Sequence, residues 1–223
     1  MSQSVSNNTS KTSAKEAILA RVHGAEVQPT ISVTREYRRD SGWNRAEILE
    51  QFAERVAEYK AEVIRVRTSE LPALLERVCQ QRNLSRIVVP AGLEVSLPSS
   101  LTAVFDEPTP LTPDQLETCD AVLSTCALGI AETGTIVLDA GPGQGRRVLS
   151  LIPDTHLCIV LESQIVGSVP EGVAALEGSV IKGRPLTFIS GPSATSDIEL
   201  SRVEGVHGPR NLVVFVLEQG DSG

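Results

Sequence analysis

Between two apolar, strand-like stretches, Leu186 to Ser190 and Leu212 to Leu217, the chain carries a dense polar run. It reads Gly191-Pro192-Ser193-Ala194-Thr195-Ser196-Asp197-Ile198-Glu199 and is followed by Gly205-Val206-His207-Gly208-Pro209-Arg210. A plain connection needs about 4–6 residues, so a longer one built of hydroxyls, carboxylates, glycines and a histidine reads as a site. Asp197 and Glu199 are two apart, which puts them on one side of an extended strand but not on one helix face. With Ser193, Thr195 and His207 they could position a small polar substrate or take part in general acid–base work. The structural alternative is that Asp197 caps a short helix and His207 hydrogen-bonds backbone to hold the glycine-rich turn.

Two further segments carry reactive types. In Gly129-Ile130-Ala131-Glu132-Thr133-Gly134-Thr135, one carboxylate and two hydroxyls sit at a glycine turn between apolar runs. Glu132 is costly there unless it is paired or turned to a cleft, and a solvent-facing hairpin tip is the alternative. The expectation is that Glu132, Thr133, Asp197, Glu199 and His207 border one cleft. Gly134 and Thr135 complete the first set of ligand-binding candidates. In Gly141-Pro142-Gly143-Gln144-Gly145-Arg146-Arg147, backbone amides and the guanidinium forks of Arg146 and Arg147 could hold an anion. The glycine spacing matches neither a dinucleotide nor a Walker loop, which leaves a flexible surface loop as the other reading.

Other chemistries find no pattern. No H-x-H or H-x-x-x-H pair occurs, so no metal is expected, and no G-x-S-x-G elbow marks a nucleophile. His156 opens an apolar strand and His23 ends a helix, both structural positions. Cys79, Cys119, Cys126 and Cys158 form no C-x-x-C set and read as small buried hydrophobes. No cofactor is expected. If this protein handles electrons, a partner must carry the cluster.

The elements that must hold these loops are legible from periodicity. A short helix is expected over Ala14 to Val22. Asn44 with Glu47 starts another, with Ile48, Phe52, Val56 and Tyr59 on one stripe. Ala61 to Arg67 reads as a strand, Ser69 to Cys79 as a helix, Arg86 to Pro90 and Thr102 to Asp106 as strands, and Thr112-Pro113-Asp114 as a helix start. After Asp120, Ala121 to Cys126, Gly129 to Glu132 and Thr135 to Asp139 read as adjoining strands. His156 to Leu161 is a buried strand and Pro170 to Leu176 a helix, and Leu186 to Ser190 with Leu212 to Leu217 complete the sheet. This alternation predicts an α/β fold with a mainly parallel sheet covered by helices on both faces.

The 223 residues, 41% hydrophobic and 22% charged, suffice for one full core. The expected organisation is a disordered arm over residues 1–13 and a single α/β domain over 14–223. A net charge of -8 argues against a nucleic-acid partner, since binding a phosphate backbone rests on Lys and Arg. No apolar run approaches the ~20 residues of a membrane span, and the polar N-terminus lacks an apolar signal core, so a cytoplasmic location is expected.

Taken together and in order, Ala131-Glu132-Thr133-Gly134-Thr135, Leu151-Ile152-Pro153 before the His156 strand, the run Gly191 to Glu199, and Gly205-Val206-His207-Gly208-Pro209 resemble the LUD-domain proteins in their lactate-utilization protein C branch. The resemblance spans about Val56 to Glu218. It implies a three-layer α/β/α fold similar to the glucosamine-phosphate isomerase, ribose-phosphate isomerase and CoA-transferase group. It also implies a part in bacterial oxidation of L-lactate to pyruvate beside iron–sulfur partner subunits, this chain being the cluster-free member. Two other functions stay open: an autonomous enzyme acting on a small anionic metabolite such as a sugar phosphate or CoA ester, and a non-catalytic assembly scaffold.

Overall fold

In the computed structural model, residues 13–25, 36–195, 203–204 and 208–218 are described, those at 194–195 and 203–204 by their backbone alone. The chain divides into two compact units, 1–37 and 38–223. In the first lies α1 (Ala14–Gly24), opened by a reciprocal cap between Ser13 and Glu16 and burying none of its side chains. In the second, α2 (Arg45–Glu58) opens with the same device, Asn44 with Glu47. Each such cap satisfies two amide donors that the first helical turn would leave unpaired.

Strands β1 (Glu62–Arg67), β2 (Arg86–Val89), β3 (Thr102–Phe105) and β4 (Ala121–Ser124) follow, with α3 (Leu71–Gln81) and α4 (Pro113–Glu117) between them. Next come β5 (Leu128–Ile130), β6 (Thr135–Leu138), β7 (Thr155–Leu161), β8 (Ile165–Val166), α5 (Val169–Ala175), α6 (Glu177–Ile181) and β9 (Thr187–Ile189). The chain closes with two-residue strands β10 (Ala194–Thr195) and β11 (Val203–Glu204) and with β12 (Asn211–Glu218). Six strands form a wholly parallel sheet in the order β1-β12-β7-β4-β2-β3. The α/β class and the parallel sheet expected from the sequence are therefore present.

One placement differs. The Leu186 to Ser190 segment does not complete that sheet. As β9 it pairs antiparallel with β6, in a second sheet ordered β8-β5-β6-β9. The cause is the turn at Glu132 to Gly134, which folds β6 back onto β5 and offers its other edge to β9. A five-residue segment with three apolar side chains reads the same in either sheet, so periodicity alone does not choose between them.

Alternation along β7 and β12 sorts the core into two faces. Leu157, Ile159, Val213 and Phe215 pack with Leu71, Leu75 and Val78 of α3. Cys158, Val160, Val214 and Val216 pack with Phe52 and Val56 of α2 and with Ile136 and Leu138 of the small sheet. Both faces are covered, which is why these strands are continuously apolar. Phe52 and Phe215 are wholly buried, each contributing roughly 2–3 kcal/mol. The buried stripe of α2 is Leu49, Phe52 and Val56, whereas Tyr59 is 45% exposed. Tyr59 is the C-cap, where the backbone has left helical geometry, so the spacing no longer carries it to the core face.

The connectivity reverses at β2. From β2 the chain moves outward to edge strand β3, then returns to β4 on the other side and continues to β7. Such a reversal opens a crevice beyond the carboxyl ends of the flanking strands, where open α/β sheets bind ligands. No described helix is long and apolar enough to cross a membrane.

Candidate functional site

The glycine turn between β5 and β6 places Glu132 half-buried. Its carboxylate accepts from the Val169 amide at 3.3 Å and pairs with Arg38, while its own amide donates to Gly167 at 3.0 Å. The carboxylate is paired, as its apolar flanks require. Beside it, Thr133 and Thr135 share a hydroxyl hydrogen bond of 2.7 Å, and Thr135 shares a second, also 2.7 Å, with Ser190 at the end of β9. These three hydroxyls form a continuous chain from the turn to the segment that begins the polar run.

Ser193 is tied to the third motif: its amide donates to the Pro209 carbonyl at 2.8 Å, and Gly208 lies against its side chain. The second and third motifs thus meet at Ser193 and Pro209, and the first reaches Ser190, the residue before the second. Thr195 is placed by its backbone in β10, while Asp197, Glu199 and His207 lie outside the described residues. Arg146 forks onto Asp106, at 2.8 Å from Nε and 2.6 Å from Nη2, and Nη2 also donates to the Leu111 carbonyl at 3.0 Å. Burial pushes the Asp106 carboxyl up, but the Arg146 fork and the Leu111 amide outweigh it and hold it below the ordinary value. Arg147 is exposed, and its guanidinium has no partner among the described residues.

A second region was touched by the sequence analysis only through its Gly141 to Arg147 loop. At the carboxyl ends of β2, β4, β7 and β12 opens a cleft of about 960 Å³, with Gly92, Thr125, Leu161 and Leu217 among its lining residues. Its polar wall is built around Asp139, the residue after β6, which is 4% exposed. Oδ1 accepts from the Gly141 amide at 3.0 Å and Gln144 Nε2 at 2.9 Å. Oδ2 accepts from Ser179 Oγ at 2.6 Å and Arg184 Nη1 at 2.9 Å. Burial raises the Asp139 carboxyl, and these donors together more than offset it, so the net displacement is downward. The opposite wall is apolar, with Leu71, Val95, Ile159 and Leu161. One oriented guanidinium beside an apolar wall suits an anionic group carried on an apolar body.

The loop Gly141 to Gly145 that flanks Asp139 is stitched to both neighbouring strand ends. Gly143 donates to Ala91 and accepts from Thr125, each at 2.8 Å. The signal in the sequence was an Asp closing an apolar strand immediately before a glycine-proline loop; its partners Ser179 and Arg184, some forty residues on, carried none.

The two regions lie at opposite ends of the same strands. Asn211 opens β12 and Leu217 stands one residue before its end, a separation of roughly 20 Å at strand rise. The motif cluster sits at the amino edge of the parallel sheet, the cleft at its carboxyl edge.

A family model described as the LUD domain matches residues 49–217. A curated relative from Deinococcus radiodurans, named lactate utilization protein C, is 53% identical over 175 residues, 78% of this chain and 81% of the relative. An uncharacterized protein of Neisseria meningitidis serogroup B is 30% identical over 220 residues, covering 92% of this chain and 94% of its own. Among solved structures, a DUF162 family protein from Deinococcus radiodurans superposes with a TM-score of 0.69 at 44% identity, covering 79% of this chain and 99% of that one.

Proposed function

Because the chain belongs to the LUD-domain family, we propose that it serves lactate utilization, as the cluster-free accessory subunit of a system that oxidises L-lactate to pyruvate beside iron–sulfur partners. The observation that carries this reading is the likeness, over most of its length, to a relative named lactate utilization protein C. The chemistry is consistent with an accessory part. Removing a C–H hydride and a proton from lactate requires an acceptor of the flavin, nicotinamide or cluster class. The four cysteines of this chain are buried, in separate stretches without cluster spacing, which supports placing the clusters on the partners. The cleft beside Arg184 would take the small anionic ligand.

A second reading has one observation in its favour. The volume and mixed lining of the cleft suit an autonomous enzyme acting on a larger anionic metabolite. Deletion of the gene, complementation on L-lactate as sole carbon source, and co-purification separate the two. The accessory reading expects lost lactate growth, recovery of iron–sulfur proteins with the tagged chain, and no lactate oxidation by the purified chain alone. Undiminished lactate growth in a strain without a redundant oxidase would remove it.

A further inference from the structure

The cleft at the carboxyl edge of the parallel sheet is too large for lactate alone. Its volume of about 960 Å³ stands at the upper end of the range of ligand pockets, roughly 300–1,000 Å³, and lactate fills one corner of it. Its charge is as telling as its size. Among the described residues that line it, Arg184 is the one cation, and Asp139 and Glu94 are the carboxylates. One positive and two negative charges leave the lining at a formal -1. Asp139 is committed to Arg184, while Glu94 is exposed in the loop that follows Gly92. A dianionic phosphate ester or a nucleotide tail therefore meets no second cation on this wall and is repelled by Glu94. A ligand with a single negative charge meets neither obstacle.

The polar end of the cleft is built to present that guanidinium. The Arg184 amide donates to the Ser179 carbonyl at 3.0 Å, and Nη1 donates to Asp139 Oδ2 at 2.9 Å, so the residue is fixed at both backbone and head. Its Nε and Nη2 donors have no partner among the described residues, and together they form the edge that a carboxylate engages through both oxygens. Gly141 keeps this end clear, since a Cβ there would stand 3.0 Å from Arg184 Nη1 and 2.7 Å from Asp139 Oδ1. The apolar end is equally continuous. Leu161 of β7 and Leu217 of β12 are paired in register, and both pack in one cluster with Leu71, Val95 and Ile159.

We propose that the cleft binds an amphiphilic monocarboxylate of medium chain length, such as octanoate, with its carboxylate on the Nε–Nη2 edge of Arg184 and its tail along Leu71, Val95, Leu161 and Leu217. This rests on the reading of the Arg184 cleft as the anion site and enlarges the ligand that the site takes. Two opposed selections follow. The apolar wall favours each added methylene group that it removes from water, and the single guanidinium with Glu94 nearby disfavours a second negative charge. The cleft therefore prefers a long monoanion to both a short one and a doubly charged one.

The test is calorimetric titration of the full chain with butyrate, hexanoate and octanoate, beside L-lactate, octanol and octyl phosphate, all below micelle-forming concentrations. Octanoate should bind as a single molecule per chain, with the negative heat-capacity change of apolar burial. Its Kd should tighten by about threefold for each methylene group along the carboxylate series. Octanol and octyl phosphate should each bind about tenfold more weakly than octanoate. Arg184→Gln should bring octanoate down to the level of octanol, and Val95→Asn should weaken octanoate about tenfold while leaving butyrate unchanged. Lactate or butyrate binding as tightly as octanoate, octyl phosphate binding more tightly, or octanoate binding unchanged in Arg184→Gln overturns the proposal. The wild-type series decides the matter even if a variant does not fold. Growth on lactate reads the accessory role alone, so that reading and this one fail separately.

Discussion

Arg184 Nη1 lies 2.9 Å from Asp139 Oδ2, and the two residues reach this contact because Leu138 of β6 pairs with Thr187 of β9. The antiparallel register brings the residue after one strand and the loop before the other to the same end of the small sheet. Of the pair, the carboxylate is buried and the guanidinium is 36% exposed at the cleft, so one anchors and the other is available.

This asymmetry predicts unequal costs. Asp139→Ala strips four donors of their acceptor and should destabilise the protein by about 3 kcal/mol, as loss of one partner of a buried network does. Arg184→Ala removes a partly solvated group and should cost about 1 kcal/mol or less. Urea midpoints for the two variants check the ranking, and equal effects would contradict it.

Acid stability follows from the same carboxylates. Asp106, Asp120 and Asp139 are each pushed upward by burial and, more strongly, downward by hydrogen bonds, so all three are held below their unfolded value. A depressed folded pKa contributes stability that is full above the unfolded value, about 4, and is lost as the pH falls through the folded one. On account of these groups, urea midpoints should therefore stay level between pH 6 and 8, where the contribution is full, and decline below about pH 4. Asp120→Asn, which keeps the side chain's shape beside the Ser85 and Arg86 amides, should flatten part of that decline.

Much of this architecture was legible in the sequence, and the remainder was not for identifiable reasons. Asn44 with Glu47 marked α2, the pattern over Ser69 to Cys79 marked α3, and the apolar run from His156 marked β7, because each signal is local. Which sheet β9 joins depends on a turn more than fifty residues earlier. In the same way Glu132 was visible as a carboxylate needing a partner, but Arg38 was not visible as that partner. The Asp139 cluster was missed because its four donors come from three separate stretches, and no spacing rule spans them.

Glycine at position 134 is a structural requirement. Its φ of +58° lies in the left-handed region, and a Cβ there would stand 2.6 Å from the Arg55 carbonyl carbon and 2.7 Å from the Val56 amide, both backbone atoms of α2. Gly183 shares a positive φ of +67° but has nothing within 4 Å of the same position. Gly134→Ala should thus cost at least 3 kcal/mol, strain and clash together, whereas Gly183→Ala should cost about 1 kcal/mol from strain alone. Thermal denaturation of the two variants measures the difference.

The hydroxyl chain Thr133–Thr135–Ser190 offers the sharpest test of whether the motif cluster works in lactate utilization. Thr135 is 5% exposed and bonds to hydroxyls on both sides, so Thr135→Val keeps its shape while cutting the chain at its centre. The stability cost should be about 1–2 kcal/mol, that of leaving buried hydroxyl partners unsatisfied. Thr135→Ser keeps the bridging oxygen and loses only a methyl group. If the chain holds a ligand or partner in place, the valine variant should fail to restore growth on L-lactate at normal protein abundance, and the serine variant should restore it. Growth of both variants at the wild-type rate would reduce the hydroxyl chain to a fastener between β6 and β9 and shift the search for the working site to the Arg184 cleft at the opposite end of those strands.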